Sequence, residues 1–197
     1  FNRNYEIKPA VFEIKYTSNT ILITCKSEFN NGYSYVLKKE IKLEKHGFTI
    51  NYDLENTGEK EIITDEYVHN FLAINKELIG RNYVLKFPFK LMPAFFLETV
   101  NPEQKVTIGQ TDVTFNDSPK EQFFFSNLNG YKNVKPQWEL KNLESKISIS
   151  ETGSFNTNKV NLWGWKHVIS PELFIDVSIK PGQNANWTRD YKISNFI

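Results

Sequence analysis

Apolar and polar residues alternate with a period of two along most of this chain. Such spacing is typical of β-strands that have one buried and one exposed face. The first two strands are predicted over residues 10–16 and 20–26, with a short turn between them. A longer strand over residues 33–44 follows, and the chain turns back at Lys45-His46-Gly47. We therefore predict an antiparallel meander at the start of the chain.

The alternation continues to the end of the chain, interrupted by turns that contain Gly, Pro and Asn. A hairpin is predicted over residues 138–149, and further strands over residues 62–70, 83–89, 105–108, 111–115, 120–125, 160–165, 172–179 and 187–193. No stretch longer than ten residues has apolar positions at helical spacing. About a dozen strands without intervening helices predict an all-β fold, an antiparallel β-sandwich or barrel. No linker or low-complexity tract divides the sequence, so one domain over residues 1–197 is expected.

Composition excludes several classes of partner. Sixteen Phe, nine Tyr and four Trp favour wide pleated surfaces over helices. The net charge of +1 argues against nucleic acid as a partner, because nucleic-acid binders normally carry a basic stripe. No apolar run reaches the length of about 18 residues that indicates a membrane-spanning helix, and no membrane partner is predicted. Cys25 is the only cysteine, so no intrachain disulfide is possible, and a small buried filler is its expected role.

The common motifs of cofactor and metal sites are absent from the sequence. There is no phosphate-binding loop with a lysine, no G-x-G-x-x-G and no G-x-S-x-G nucleophile elbow. The three histidines, His46, His69 and His167, do not have the short spacing of zinc ligands. We therefore predict no cofactor and no metal site. His46 lies in a turn and His167 at a strand end, where surface roles are expected.

Two titratable residues have more distinctive surroundings. His69 lies at the end of a predicted strand, and histidine is the side chain whose unperturbed pKa is closest to neutrality. Glu172 is predicted on the strand face opposite Leu173, Ile175 and Val177, so it would point to solvent or into a cleft. Each residue alone is more often structural or solvated than catalytic. Tryptophans such as Trp163 suit either a sugar ring or a sandwich core.

Several segments, in order along the chain, resemble galactose mutarotase-like (aldose 1-epimerase-like) proteins, in particular a bacterial branch of that superfamily. The segments that carry the resemblance are Asp53-Leu54-Glu55-Asn56-Thr57-Gly58, Tyr67-Val68-His69-Asn70-Phe71-Leu72, residues 79–89, residues 170–176, residues 178–182 and residues 187–191. The resemblance implies a large antiparallel sandwich, or supersandwich, with a sugar-binding groove. It also implies that N-terminal strands of the family pattern are missing from this chain.

The resemblance further implies a carbohydrate-active isomerase that needs no cofactor. Carried over by motif, His69 would be the general acid and Glu172 the general base of aldose ring opening. The two would face each other across a cleft for a monosaccharide or the end of a glycan. Residues expected to contact the sugar are Tyr67, Asn70, Trp163 and Asp176. The alternatives are a non-catalytic carbohydrate-binding sandwich and a purely structural or protein-interaction sandwich.

Overall fold

The computed structural model describes residues 8–197. These residues form sixteen strands and one short 3-10 turn, Pro93–Phe95, so the predicted all-β class is confirmed. In chain order the strands are β1 Val11–Tyr16, β2 Thr20–Lys26, β3 Tyr35–Glu44, β4 Gly47–Asn56, β5 Ile62–Glu66, β6 Tyr83–Lys86, β7 Thr99–Val100, β8 Val106–Ile108, β9 Asp112–Phe115, β10 Phe123–Phe125, β11 Gln137–Asn142, β12 Ile147–Gly153, β13 Val160–Trp165, β14 Val168–Leu173, β15 Ile175–Ile179 and β16 Asn184–Asn195. No helix within this part of the chain has the length and hydrophobicity that a membrane crossing requires.

The described chain divides into two compact units. The first contains the described residues up to Thr64 together with Val177–Thr188, and the second contains Asp65–Asp176 and Arg189–Ile197. The expectation of a single domain over residues 1–197 remains a prediction.

The first unit is built on the meander that the sequence predicts. Strands β1, β2, β3 and β4 pair in sequence order, each antiparallel to the next. Every residue of β1 is exposed, whereas Ile50 and Tyr52 of β4 are buried. The Tyr52 ring stacks on Trp187 at a centroid distance of 4.9 Å. Cys25 is buried in β2, as expected for a small apolar filler.

The second unit contains two antiparallel sheets. One has the order β12, β11, β6, β9 and β8, with residues 189–195 of β16 beside β12. The other has the order β14, β13, β10 and β7. The predicted hairpin forms between β11 and β12. Side chains of both sheets are fully buried in the core, including Leu85, Trp138, Leu140, Leu162 and Ile169.

Two predicted strands are shorter than expected. The strand predicted over residues 62–70 ends at Glu66, and residues 67–70 have no regular structure. This strand does not extend the meander, because β5 pairs with β15. The strand predicted over residues 172–179 is interrupted at Phe174, which places Glu172 in β14 and the following residues in β15.

Glu172 was expected to point to solvent or into a cleft. It lines a cleft with Tyr67 and His69, and it is only 4% exposed. The physical reason is that both faces of β14 are covered. One face packs in the core, and residues 67–71 lie over the other.

Candidate functional site

The floor of the candidate site is one face of the four-stranded sheet in the second unit. Residues directly opposite each other in an antiparallel pair share a face. Asn161 is opposite Glu172, and Trp163 is opposite both Phe124 and Ser170. The side chains between them, such as Leu162 and Leu173, point to the other face and are fully buried. Period-two alternation therefore gives this sheet one core face and one face that lines a cleft.

An irregular segment of the same unit forms the wall above this floor. Tyr67, His69 and Phe71 line the cleft together with Phe124, Asn161, Trp163 and Glu172, and the volume of the cleft is about 310 Å³. Leu72 and Ile169 exchange backbone hydrogen bonds of 2.8 and 3.0 Å, which fasten the segment to β14. Phe71 has a φ of 45°, a left-handed conformation that is strained for a bulky residue and that accompanies functional sites more often than other places.

His69 and Glu172 meet in this cleft although about a hundred residues separate them in the sequence. Nε2 of His69 lies 3.6 Å from Oε1 of Glu172. The same nitrogen lies 2.9 Å from the Tyr67 hydroxyl, which orients the imidazole. The imidazole is half exposed at 51%, whereas the carboxylate is buried. One member of the pair is thus open to a ligand and the other is shielded from water.

Burial shifts the ionisation of the carboxylate. Desolvation raises the pKa of Glu172 to about 7, and it outweighs the opposing hydrogen bonds from Ser170 and Asn161 and the charge of Lys159. Ser170 Oγ lies 3.4 Å from Oε1 of Glu172. Burial, followed by the charge of Glu172, also raises the pKa of Tyr67. A carboxyl group that titrates near neutrality suits general acid–base work.

Asn70 lies behind the cleft and not in its lining. Its amide donates to Glu151 at 3.2 Å and to the Pro171 carbonyl at 2.6 Å, and it accepts from the Tyr191 hydroxyl at 2.9 Å. The backbone N–H of Asn70 donates to Ser170 Oγ at 3.0 Å. Two of these four bonds hold Asn70, the residue after His69, against β14, and the other two connect it to β12 and β16.

The structure brings four of the six predicted site residues together at the cleft. Those four are Tyr67, His69, Trp163 and Glu172. Asn70 faces away from the cleft. Asp176 is exposed in β15, where it accepts a hydrogen bond from Asn158 at 2.9 Å, and it does not line the cleft.

Three lining residues were missed by the sequence reasoning, namely Phe71, Phe124 and Asn161. Phe124 could have been found, because three consecutive phenylalanines in one strand must place a ring on each face. A polar residue between the apolar Val160 and Leu162 was a comparable signal for Asn161. Among residues 8–197, no group of three or more His, Cys, Asp or Glu side chains could hold a metal ion.

Comparison with known proteins supports the fold. No family model and no curated protein matches the sequence. Among solved structures, a galactose mutarotase related enzyme from Lactobacillus acidophilus superposes with a TM-score of 0.64 at 10% identity, over 93% of this chain and 71% of that one. A galactose mutarotase-like protein from Clostridium acetobutylicum gives a TM-score of 0.60 at 10% identity, over 95% and 67% of the two chains.

A third similar structure comes from an animal. The GalM/aldose epimerase homologue from C. elegans superposes with a TM-score of 0.60 at 9% identity, over 94% of this chain and 69% of that one. The present chain therefore spans about two thirds of the length of these proteins. Identities this low establish the fold alone. The chain has the galactose mutarotase-like β-sandwich fold that the sequence motifs predicted.

Proposed function

We propose that the cleft binds a sugar and interconverts its two anomers by acid–base ring opening. The observation that carries this proposal is the 3.6 Å approach of His69 to a buried Glu172 inside an aromatic cleft. The fold, shared with proteins described as aldose epimerase homologues, supports the same reaction class. Fold alone does not determine function, so the geometry of the site carries the proposal.

The proposed reaction uses the two side chains as a proton-transfer pair. The Glu172 carboxylate takes the proton of the anomeric hydroxyl while protonated His69 donates a proton to the ring oxygen. The bond between C1 and the ring oxygen breaks, which gives the open-chain aldehyde with a free hydroxyl. Rotation about C1–C2 and ring closure, with both proton transfers reversed, deliver the other anomer and restore the pair.

The geometry of the pair matches this chemistry. The anomeric oxygen and the ring oxygen are both bonded to C1, so the groups that serve them must lie close together. Nε2 of His69 and Oε1 of Glu172 satisfy this requirement. A base whose pKa is about 7 is ionised in a useful fraction at neutral pH and still binds a proton readily.

The aromatic lining accounts for sugar binding. Phe71, Phe124 and Trp163 present ring surface to the cleft, and aromatic faces suit the C–H faces of a pyranose. A volume of about 310 Å³ lies at the lower end of the usual range for ligand pockets and suits a small ligand. The same aromatic lining equally supports the alternative function, a sugar-binding domain without catalysis.

Anomer exchange of freshly dissolved aldoses, followed by polarimetry across a panel of sugars, tests the proposal. We expect acceleration over buffer, and we expect His69→Ala and Glu172→Gln each to reduce it by about 10²–10⁴-fold. His167→Ala and Glu98→Gln change exposed residues outside the cleft and serve as matched controls. Sugar binding that survives His69→Ala, without acceleration by the unmodified chain, would establish the non-catalytic alternative.

A further inference from the structure

Arg189 is a fully buried cation that the proposed reaction does not use. Its guanidinium donates through Nη1 to Glu151, which is also fully buried. Through Nη2 it donates to Glu66 at 2.7 Å and to the Leu173 carbonyl at 3.0 Å. Buried ion pairs contribute little net stability, because desolvation offsets their attraction. Stability alone therefore gives no reason for this arrangement.

Two partners of Arg189 directly adjoin residues of the cleft, and the third, Glu151, is connected to the cleft through Asn70. Glu66 directly precedes Tyr67, at the start of the irregular wall. Leu173 directly follows Glu172 in β14. Glu151 accepts from the amide of Asn70, which directly follows His69. One guanidinium is thus connected to the wall segment at two points, Glu66 and Asn70, and to the strand that carries the carboxylate.

We propose that Arg189 is a positioning residue that sets the separation of His69 and Glu172. On the wall, Arg189 acts through Glu66 and, by way of Glu151, through Asn70. On the floor, it acts through the Leu173 carbonyl. The importance of this role for catalysis rests on the function proposed above. The effect of Arg189 on the separation of His69 and Glu172 can be tested without any reaction.

Arginine is suited to this role because its planar fork presents several donors in fixed directions. The two terminal nitrogens of Arg189 serve three acceptors on three different segments. A lysine at this position would keep the charge but would concentrate its donors at one point. Arg189→Lys therefore removes the bridge between segments while it leaves Glu151 with a cationic partner.

The test compares Arg189→Lys with Arg81→Lys, which changes an exposed arginine outside the cleft. Circular dichroism and thermal melting establish that each variant folds. The side-chain carboxyl resonance of Glu172, followed by carbon NMR across pH, reports its pKa. Anomer exchange reports kcat and KM separately.

For Arg189→Lys we expect the wall to lift from Glu172, so that solvent reaches the carboxyl group and its pKa falls by about one pH unit or more toward the ordinary range. Misplacement of catalytic groups by about 1 Å can cost about 10²-fold in rate, so we expect kcat to fall by about that factor while KM changes little. Arg81→Lys should leave both quantities unchanged.

A folded Arg189→Lys variant with an unaltered Glu172 titration would overturn the positioning role. If that variant does not fold, Glu66→Ala decides by the same titration, because Glu66 is partly exposed and its loss leaves the buried pair intact. An unshifted titration in Glu66→Ala would equally overturn the proposal. If the unmodified chain accelerates no sugar, the proposed function fails, and the Glu172 titration still decides the positioning role by itself.

Discussion

Replacing Glu172 with glutamine should stabilise the folded chain at alkaline pH while it removes the proposed base. Glu172 is only 4% exposed, and burial raises its pKa from an ordinary value of 4.5 to about 7. Ionised groups are costly to bury, whereas glutamine has nearly the same shape and no charge. The substitution should therefore remove an unfavourable term that appears only when the carboxyl group ionises.

The direction and size of this effect follow from linkage. An acid whose pKa is raised by folding binds its proton more tightly in the folded state. Its stabilising contribution is fully present below 4.5 and is lost as pH rises through about 7. Because one pKa unit corresponds to about 1.36 kcal/mol, the loss across this window is about 3 kcal/mol. Glutamine does not titrate, so the variant escapes the loss.

Urea denaturation at two pH values measures the effect. Near pH 4 the carboxyl group is protonated in both states, and the variant and the unmodified chain should have similar free energies of unfolding. Near pH 8 the variant should be more stable by about 3 kcal/mol. Glu98→Gln replaces an exposed glutamate and should show no comparable difference between the two pH values. Equal stabilities of Glu172→Gln and the unmodified chain near pH 8 would refute the burial argument.

Other expectations concern β13 and the pH dependence of the reaction. Leu162→Ala should lower the free energy of unfolding by about 2–5 kcal/mol in urea titrations, because it empties a core position. Trp163→Ala, on the opposite face, should instead weaken sugar binding measured by calorimetry. Gly164→Ala should destabilise by about 1–3 kcal/mol, because its Cβ would clash with the buried Phe123 ring. In polarimetry, the rate of anomer exchange should fall as pH decreases below about 7, because the proposed base, Glu172, then becomes protonated.

Local patterns predicted the meander because neighbouring strands joined by tight turns need little information from the rest of the chain. The turn at Lys45-His46 and the strands on either side of it occur where alternation placed them. The pairing of β5 with β15 depends on residues more than a hundred positions apart, and no local pattern encodes that choice. The sequence could therefore predict strands more reliably than their order in the sheets.

The wall of the cleft shows why a strand-like sequence can fold otherwise. Tyr67, Val68 and Phe71 are good strand formers, yet this segment has no strand ladder. The side chain of Asn70 makes bonds to three other segments, and Phe71 adopts a left-handed backbone. These tertiary bonds outweigh the local preference, and they depend on residues that sequence alone does not place nearby.

Several features that each lower the stability of the folded chain lie in the cleft or next to it. Glu172 is desolvated, Arg189 and Glu151 are an ion pair removed from water, and Phe71 has a strained backbone. All belong to the same unit and lie in the cleft or in the bonds behind it. A sandwich selected only for stability would replace such groups with apolar residues. Their concentration around His69 therefore favours a functional cleft over a purely structural sandwich, because local violations of stability rules are expected where a site needs them.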